Sequence, residues 1–245
     1  MKILVPVKRV VDPYVKIRLK LDGSGVDTQQ LKMVMNPFDE IALEQAIRCK
    51  EQGIANDIIC VSIGQDLVQE TLRHGLALGA DQAIWVDNPN AHQSIEVADI
   101  LAQVVQDNAA DLVMMGKQAI DSDACQTPQM LAAILDWPQA CFISDLTLAD
   151  DRLHLVRETD SGLESIELIL PAVISVDLRL NEPRYASLPN IMKAKSKPLH
   201  RIQLSSRLQS GITCQQVLPP KTRQKGVMLS SVDELLEKIR PILFS

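Results

Sequence analysis

The sequence predicts an α/β protein built on a parallel sheet with helices on both faces, extended by further β-strands and by a C-terminal arm. Three observations support this prediction. Strand-length apolar runs alternate with helix-like segments through the first half of the chain, which favours a parallel sheet covered on both faces. After Asp136 strand-like runs dominate, and from Asn181 to about Val227 no periodicity is present. A stretch this long without a period is unusual inside a compact domain, so we expect an arm that lies on another surface.

The first elements are a buried strand and a long helix. "ILVPV" (Ile3–Val7) predicts the strand, and a polar, turn-rich stretch containing "LDGSG" follows it. "NPFDEIALEQAIRCKEQG" predicts the helix, because Asn36 suits the N-cap, Pro37 the first helical position and Asp39 the positive end of the helix dipole. Gly53 is suited to close this helix in a left-handed conformation.

The alternation then continues along the chain. The next predicted strands are "DIICVSI", "AIWV" and "DLVMMG", and the helices between and after them are "LVQETLRHGLALGA", "SIEVADILAQVVQDN" and "QTPQMLAAIL". "CFISDLTLADDRLHLVRE" predicts two strands joined by a turn at Asp150–Asp151, and "AVISVDL" (Ala172–Leu178) predicts another buried strand. "SSVDELLEKIRPIL" predicts a terminal helix with a serine cap and apolar residues at helical spacing, namely Val232, Leu235, Leu236 and Ile239.

Composition excludes several classes of protein. The chain has 245 residues, 46% of them hydrophobic and only 3% aromatic, and its net charge of −6 argues against general nucleic-acid binding. Its apolar runs are of strand length, so we expect no membrane span, and the N-terminus is too short and too soon charged again for a signal peptide. The five cysteines and four histidines are scattered without metal-ligand spacing, so we expect reduced thiols and no metal site.

The motifs of several enzyme classes are missing. There is no G-x-x-x-x-G-K-[ST] phosphate loop, no G-x-G-x-x-G opening a helix, no G-x-S-x-G and no H-E-x-x-H. No nucleophile and base are paired in the sequence, and no pair of carboxylates stands out. The sequence therefore predicts no catalytic residues.

The loop "MMGKQAIDSDACQT" (Met114–Thr127) is the strongest candidate for a ligand site. It follows a buried strand and precedes a helix, and ligands of open α/β sheets bind beyond the carboxyl ends of the strands. Gly116 allows the backbone to approach a ligand closely. The backbone amides at the beginning of the helix, together with the Thr127 hydroxyl, are suited to binding a phosphate. Asp121 and Asp123 would repel a phosphate, which favours contact through amides and hydroxyls. A polar loop followed by a helix cap is the alternative, and capping chemistry alone also accounts for "NPFDE".

A second candidate surface lies between Pro183 and Lys197. Leu188 lies in a short stretch flanked by Pro183 and Pro189, where neither a regular helix nor a central strand is favoured. Only Glu182 opposes the cations around it, which are Arg184, Lys193, Lys195, Lys197 and Arg201. A basic patch on an acidic protein raises encounter rates with an acidic partner, and an apolar residue within it suits a small hot spot. A solvated charged loop is the alternative.

These segments together resemble the β subunit of electron transfer flavoprotein. The resemblance spans nearly the whole chain and rests on "VKRVVD", "MNPFDEIALEQA", "LGADQAIWV", "GKQAIDSDACQT", "LDWPQ" and above all "RLNEPRYASLPNIMKAKSK". It implies a Rossmann-like fold, a structural AMP, and a heterodimer whose larger α subunit holds most of the FAD. It further implies an electron carrier that is not itself an enzyme. Such a carrier accepts electrons from acyl-CoA dehydrogenases of fatty-acid β-oxidation and from other dehydrogenases, and it donates them to ETF–ubiquinone oxidoreductase.

The resemblance also implies roles for individual residues. Glu158 matches a glutamate that pairs with an arginine of the FAD domain and biases its orientation. The recognition loop for dehydrogenases, with Leu188 as its apolar anchor, comprises Arg184, Tyr185, Ala186, Ser187, Leu188, Pro189, Asn190, Ile191, Met192 and Lys193. The AMP contacts fall at Pro6, Asn36, Pro37, Phe38, Asp39, Ile63, Gly116, Lys117, Gln118, Ala119, Ile120, Asp121, Ser122, Asp123, Ala124, Cys125, Gln126 and Thr127.

The chain departs from the family pattern at several of these places. Pro6 stands where alanine is familiar, and proline has no N–H to give to an adenine edge. Ser122 and Cys125 replace an aspartate and an asparagine, and Pro128 replaces a glycine. Tyr14 lies one place from the position of a flavin-neighbouring tyrosine. These departures affect individual contacts to the nucleotide rather than the nucleotide site as a whole.

Three other functions are weighed against this interpretation. An adenylating ligase of the same fold would need a Gly- and Ser-rich pyrophosphate loop after the first strand, where this chain has "VKRVVDPYV". A bifurcating flavoprotein would hold a second FAD in place of AMP, and a nucleotide-binding stress-type protein would have no α subunit. The resemblance implies a nucleotide-binding domain at 1–180 and a recognition loop with an arm at 181–245. It places the protein in the cytoplasm of a bacterium or in the mitochondrial matrix of a eukaryote.

Overall fold

The computed structural model describes residues 1–91, 93–149, 152–223 and 225–244. Two compact units are present in it. The first comprises Met1–Lys16 and Thr28–Thr213, and the second comprises Ile17–Asp27 and the described part of Cys214–Ser245. The expected turn at Asp150–Asp151 lies outside the described residues.

Eleven strands and six helices make up the described residues. The strands are β1 (Lys2–Pro6), β2 (Arg9–Val11), β3 (Met33–Met35), β4 (Asp57–Gly64), β5 (Gln82–Asp87), β6 (Leu112–Gly116), β7 (Gln139–Ala149), β8 (Arg152–Thr159), β9 (Gly162–Ile169), β10 (Ala172–Val176) and β11 (Leu199–Ile202). The helices are α1 (Pro37–Glu51), α2 (Val68–Leu78), α3 (Ser94–Asn108), α4 (Thr127–Leu135), α5 (Leu188–Ala194) and α6 (Val232–Leu243).

A nine-stranded sheet forms the first unit and confirms the predicted fold class. Its order is β11-β5-β4-β1-β6-β10-β7-β8-β9, parallel from β11 to β7 and antiparallel from β7 to β9. The inner strands are apolar throughout because helices cover both faces. One face packs its side chains, such as Ile3 and Met114, in a cluster with α1 and α2, and the other packs Leu4 and Val113 in a cluster with α3 and α4.

The predicted helix boundaries follow from local chemistry. Asn36 occupies the N-cap of α1 with Pro37 after it, and Gly53 closes the helix with φ of +76° and its N–H donated to the Lys50 carbonyl. Ser231 caps α6 by accepting a hydrogen bond from the Glu234 N–H. These starts and stops are confirmed as the sequence predicts them.

The stretch from Asn181 onward is more ordered than the sequence predicts. It forms α5 and then β11, which pairs in parallel with β5. Beyond β11, the Arg207 guanidinium and N–H donate to the buried Asp99 carboxylate on α3, at distances down to 2.6 Å. Such polar side-chain anchors leave no hydrophobic period in the sequence. Up to Thr213 the stretch belongs to the first unit, so the expected arm on another surface does not begin at Asn181.

Three strands also escape the sequence prediction because they lack a recognisable period. β2 and β3 have three residues each and pair as an antiparallel ribbon, so neither is long enough to show a period. β9 is the open edge of the large sheet, and most of its residues are exposed. An edge strand that faces water on both sides loses the alternation by which strands are recognised.

The second unit contains a hairpin and the terminal helix. In the hairpin Leu19 bridges Val26, and the Val217 N–H donates to the Gly23 carbonyl at 3.0 Å. No residue of α6 is buried, although the helix carries an apolar stripe. Among the described residues, none of the helices combines the length and the apolar character that crossing a membrane requires.

Candidate functional site

A cavity of about 420 Å³ opens at the carboxyl ends of the central strands of the first unit. β1 and β6 are neighbours there, although the chain runs outward from β1 to β4 and β5 before it returns to β6. A reversal of strand order of this kind is where open α/β sheets bind ligands. The ends of β1, β4 and β6 and the starts of α3 and α4 supply the walls.

Gly116 lets α1 approach the end of β6. A Cβ atom at this position would lie 2.6 Å from the Phe38 Cβ atom and 2.9 Å from the Phe38 carbonyl carbon. Contacts that close do not occur between real atoms, so any side chain at residue 116 would push the first turn of α1 away from the sheet. The glycine that the sequence marks for ligand approach therefore serves the packing of the cavity wall.

Asn36 fastens the loop that follows β6. Its Nδ2 donates to the Gln118 carbonyl at 2.9 Å, and its Oδ1 accepts from the Ile120 N–H at 3.1 Å. The side chain is buried and does not cap α1, although the residue stands at the N-cap position. The capping interpretation of this side chain is wrong, because a turn of loop backbone offers it a donor and an acceptor at once.

Asp39 is a buried carboxyl at the wall of the cavity, in the first turn of α1. One of its oxygens accepts a 2.8 Å hydrogen bond from the Lys8 N–H. Burial raises the pKa of Asp39 to about 7, although hydrogen bonds from Lys8, Asn36 and Gly116 act in the opposite direction.

The loop between Gln118 and α4 gathers unpaired backbone donors. The N–H groups of Ser122 and Asp123 close a turn on the Ala119 carbonyl, and Asp123 and Cys125 adopt positive φ of 48° and 53°. Left-handed residues in such a loop aim successive N–H groups into a concavity suited to an anion. No hydrogen-bond acceptor for the backbone N–H is found among the described residues for Ala124, Cys125, Gln126 and Thr127, all of which line the cavity.

Both lysines that line the cavity are ion-paired. The Lys8 ammonium lies 2.8 Å from the Asp121 carboxylate, and the Lys117 ammonium lies 2.5 Å from that of Asp177. Burial opposes ionisation of Asp177, but the hydrogen bonds from Lys117 and from the Arg179 N–H, with the charges of both cations, together outweigh burial and hold the pKa of that carboxyl below its usual value. The cavity is therefore close to neutral, with its free donors on the backbone.

The predicted nucleotide residues are mostly brought together at this cavity. Asn36, Pro37, Phe38, Ile120 and Asp123 do not line it; of these, Asn36 supports the loop as described. The other predicted residues line it, namely Pro6, Asp39, Ile63, Gly116, Lys117, Gln118, Ala119, Asp121, Ser122, Ala124, Cys125, Gln126 and Thr127. Sequence reasoning missed Val7, Lys8, Val61, Ala91, Ser94, Val97, Leu101, Met115 and Pro128. The apolar ones among them carry no signal that separates a cavity wall from the core.

The predicted recognition loop presents apolar side chains to solvent on and beside α5. Tyr185 is 98% exposed, Leu188 78% and Met192 64%. Ser187 caps the helix by accepting from the Asn190 N–H, and Ala186 packs on the core while Pro189, Asn190 and Lys193 are exposed. Ile191, which is 42% exposed, completes an apolar surface that we call the docking surface: Tyr185, Leu188, Ile191 and Met192.

The predicted basic patch is smaller than the sequence suggests. Arg184 is bound to Glu44 and Glu51 of α1, with its guanidinium nitrogens 2.6–3.1 Å from their carboxylates. The hydrogen bonds that the guanidinium donates to Glu51 and Glu44 raise the pKa of Arg184. Arg201 pairs with Asp87, and Lys197 donates to backbone carbonyls. Among the described residues, only Lys193 and Lys195 of the predicted patch have no ionic or carbonyl partner.

Glu158 lies on β8 of the first unit. Its carboxylate pairs with Arg179, and its side chain is 23% exposed. Tyr14 is 96% exposed and donates its backbone N–H to Asp12. Within the described ranges, no group of three or more His, Cys, Asp and Glu side chains is arranged to hold a metal ion.

Comparison with known proteins identifies relatives over almost the whole chain. The electron transfer flavoprotein domain matches residues 24–206. The mitochondrial electron transfer flavoprotein subunit beta of Arabidopsis thaliana is 52% identical over 245 residues, with 98% of each chain covered. The subunit beta of Bradyrhizobium diazoefficiens is 48% identical over 247 residues, with 98% of each chain covered, and that of Homo sapiens is 47% identical over 249 residues, with 99% of this chain and 98% of that one covered.

Proposed function

Because this chain belongs to the electron transfer flavoprotein family and matches its β subunits over nearly their whole length, we propose that it pairs with an α subunit and serves as an electron carrier rather than as an enzyme. FAD, held mainly by the α subunit, supplies the reversible uptake of electrons. Acyl-CoA and related dehydrogenases donate these electrons, and ETF–ubiquinone oxidoreductase receives them. The β chain contributes a nucleotide site and a docking surface.

The cavity fits AMP with a structural role. The run of unpaired N–H groups from Ala124 to Thr127, at the N-terminus of α4, matches the three oxygens of a phosphate. Asp121 does not oppose this assignment, because its charge is paired with Lys8, and the Asp123 carboxylate accepts from the Gln118 amide at 2.8 Å. Apolar residues on the opposite wall, such as Val97 and Leu101, suit a base.

The departures from the family pattern change side chains and leave most of the backbone N–H donors of the site in place. Pro6 has no N–H, the Val7 N–H donates to the Val61 carbonyl and the Lys8 N–H to Asp39, so the end of β1 gives no amide to an adenine. Cys125 contributes its backbone N–H whatever its side chain is. Pro128 removes one amide from the second position of α4 and leaves those before it in place.

The docking part of the proposal is carried by one observation. Four large apolar side chains, on and beside a seven-residue helix, face solvent on a unit whose other apolar residues are largely buried. Exposed apolar residues gathered at one place mark sites of protein association. Lys193 and Lys195 beside them favour a partner with an acidic rim. For Glu158, we propose that an arginine of the FAD domain shares or displaces its pairing with Arg179.

The replacement Leu188→Ala tests the docking proposal. Burying one leucine in a partner's pocket stabilises a complex by roughly 1–3 kcal/mol, so docking should weaken by about ten- to a hundredfold. Because Leu188 is exposed in this chain, folding, pairing with α and flavin content should not change. The measurement is the rate of reduction by an acyl-CoA dehydrogenase at varied concentration of the complex, with thermal melts beside it.

Ile169→Ala is the matched control, because Ile169 is 59% exposed on β9, outside the docking surface and at the opposite end of the strand from the residue that pairs with Glu158. Normal reduction of the Leu188→Ala complex would show that the leucine is not an anchor. A melt several degrees below that of the unaltered complex would show that it is a core residue instead.

A further inference from the structure

The docking surface is fixed to the first unit at both of its ends. On the N-terminal side, Arg184 is bound to Glu44 and Glu51 of α1, as described above. On the C-terminal side, the anchors are Arg73 of α2 and Lys197, which follows α5. Lys197 ends the segment "RLNEPRYASLPNIMKAKSK" and Arg73 lies outside the segments that carry the resemblance, and the resemblance assigns an individual role to neither cation.

Arg73 closes the C-terminal end of α5. Its Nη1 atom donates to the carbonyl of Ala194 at 2.8 Å and to that of Lys197 at 2.8 Å. The last carbonyls of a helix have no partner within the helix, and a cation there also faces the negative end of the dipole. Ala194 is buried at this contact, beside an open cavity that residues of both α2 and α5 line.

Lys197 makes the same contact in the reverse direction. Its ammonium donates to the Leu76 carbonyl at 3.0 Å and to the Ala80 carbonyl at 2.6 Å, at the C-terminal end of α2. The N–H groups of Gly79 and Ala80 both turn back to Gly75, which leaves these carbonyls for the lysine. Burial lowers the pKa of Lys197, as expected for a cation removed from water by the contact.

We propose that Arg73 and Lys197 form a reciprocal clamp in which each helix end is closed by a cation from the other element, and that they are positioning residues for docking. The proposal rests on the docking function proposed above. A helix of seven residues is not stable alone, because its nucleation is unfavourable. The clamp supplies that stability, so that Leu188 is presented before a partner arrives.

The consequence for docking follows from the populations of two states. If α5 is formed and seated for only a fraction of the time, the apparent dissociation constant for a partner rises by the inverse of that fraction. Electron transfer within the docked complex is unaffected, because both cations spend their hydrogen bonds on backbone carbonyls and neither is part of the docking surface, although Arg73 lines a cavity beside Ile191. Loss of the clamp should therefore raise KM for the complex and leave kcat unchanged.

The test uses the purified complex with Arg73→Met, which keeps the aliphatic stem and removes both hydrogen bonds. We expect amide exchange in residues 190–196 to accelerate about tenfold or more, since tenfold corresponds to about 1.4 kcal/mol and a charged donor is worth about that. KM toward an acyl-CoA dehydrogenase should rise about three- to tenfold at unchanged kcat. Lys197→Met should act in the same direction, and Arg73→Lys should restore part of both effects. Arg152→Met, at an exposed arginine paired with Glu167 on β9, is the control.

Each outcome decides the inference. Two outcomes overturn the clamp as a positioning device and leave the docking function in place. The first is unchanged amide exchange in both Arg73→Met and Lys197→Met. The second is faster exchange at a normal KM in these variants, while Leu188→Ala raises KM. Normal KM in Leu188→Ala and in both clamp variants overturns the docking function itself. A rise in KM that Arg73→Lys does not reverse at all also counts against the clamp.

Discussion

At the scale of single residues, Asp39 is the group whose ionisation the cavity controls. Its ordinary pKa is 3.8, and burial raises it to about 7 in the folded protein. Between these two values the folded state binds more protons than the unfolded state, so the free energy of unfolding falls as pH rises. The resulting penalty is absent below about pH 4 and complete above about pH 7.

The replacement Asp39→Asn should remove this penalty. An amide keeps an acceptor for the Lys8 N–H and carries no charge, so the variant should gain stability over the unaltered protein as pH rises from 4 to 7, by up to about 4 kcal/mol. Urea unfolding at pH 4.5, 6 and 7.5 measures the difference. Asp160→Asn, at an exposed turn, is the control. Stability curves that run parallel across this range would contradict the assigned burial.

Residue roles divide into those that the sequence reveals and those that need the fold. The loop from Gly116 to Thr127 could be predicted, because a glycine after a buried strand and hydroxyls before a helix are local features. The clamp by Asn36 could not, since its partners Gln118 and Ile120 lie more than eighty residues away. The charge of Arg184 is likewise neutralised by glutamates of α1, whose proximity no local pattern encodes.

At the scale of elements, the periodicity of hydrophobic residues determines which helices and strands can be predicted from the sequence. The alternating strands and helices of residues 1–135 were predicted because their burial on one or both faces leaves a regular pattern. α5 and β11 were not, because the helix is exposed on most sides and the strand is a four-residue edge. The α6 helix was predicted from its cap and stripe, yet that stripe is exposed in the second unit.

The exposed stripe of α6 yields a prediction about the α subunit. A twelve-residue helix that buries none of its residues is marginal in water, so amide exchange over Val232–Leu243 should be fast in the free chain and slow in the complex. The double replacement Leu235→Glu with Leu236→Glu should reduce co-purification of the α subunit. Glu237→Lys, on the polar side of the helix, should not. Equal protection in the free and paired chains would refute an arm that is ordered by its partner.

At the scale of the whole molecule, two separate surfaces of the first unit carry the proposed function. We propose a nucleotide in the cavity at the carboxyl ends of the strands, and the docking surface lies on and beside α5, where Arg184, Arg73 and Lys197 anchor it to α1 and α2. Neither surface requires a general base or a nucleophile, which agrees with a carrier. In the proposed function, the nucleotide stabilises the assembly because its phosphate accepts hydrogen bonds from the loop amides, and a hydrogen bond to a charged group is worth roughly 1.5–3 kcal/mol.

The most direct test of the central claim is the nucleotide content of the complex purified with its α subunit, identified by mass after release. The account predicts one AMP and one FAD per heterodimer, and predicts that removal of AMP slows reassembly while the flavin potential stays nearly unchanged. Two flavins per heterodimer would identify a bifurcating flavoprotein, and failure to co-purify with an α subunit would favour a nucleotide-binding stress-type protein. Either result would contradict the proposed function. A large shift in flavin potential on loss of AMP, or turnover of ATP by the complex, would also contradict it.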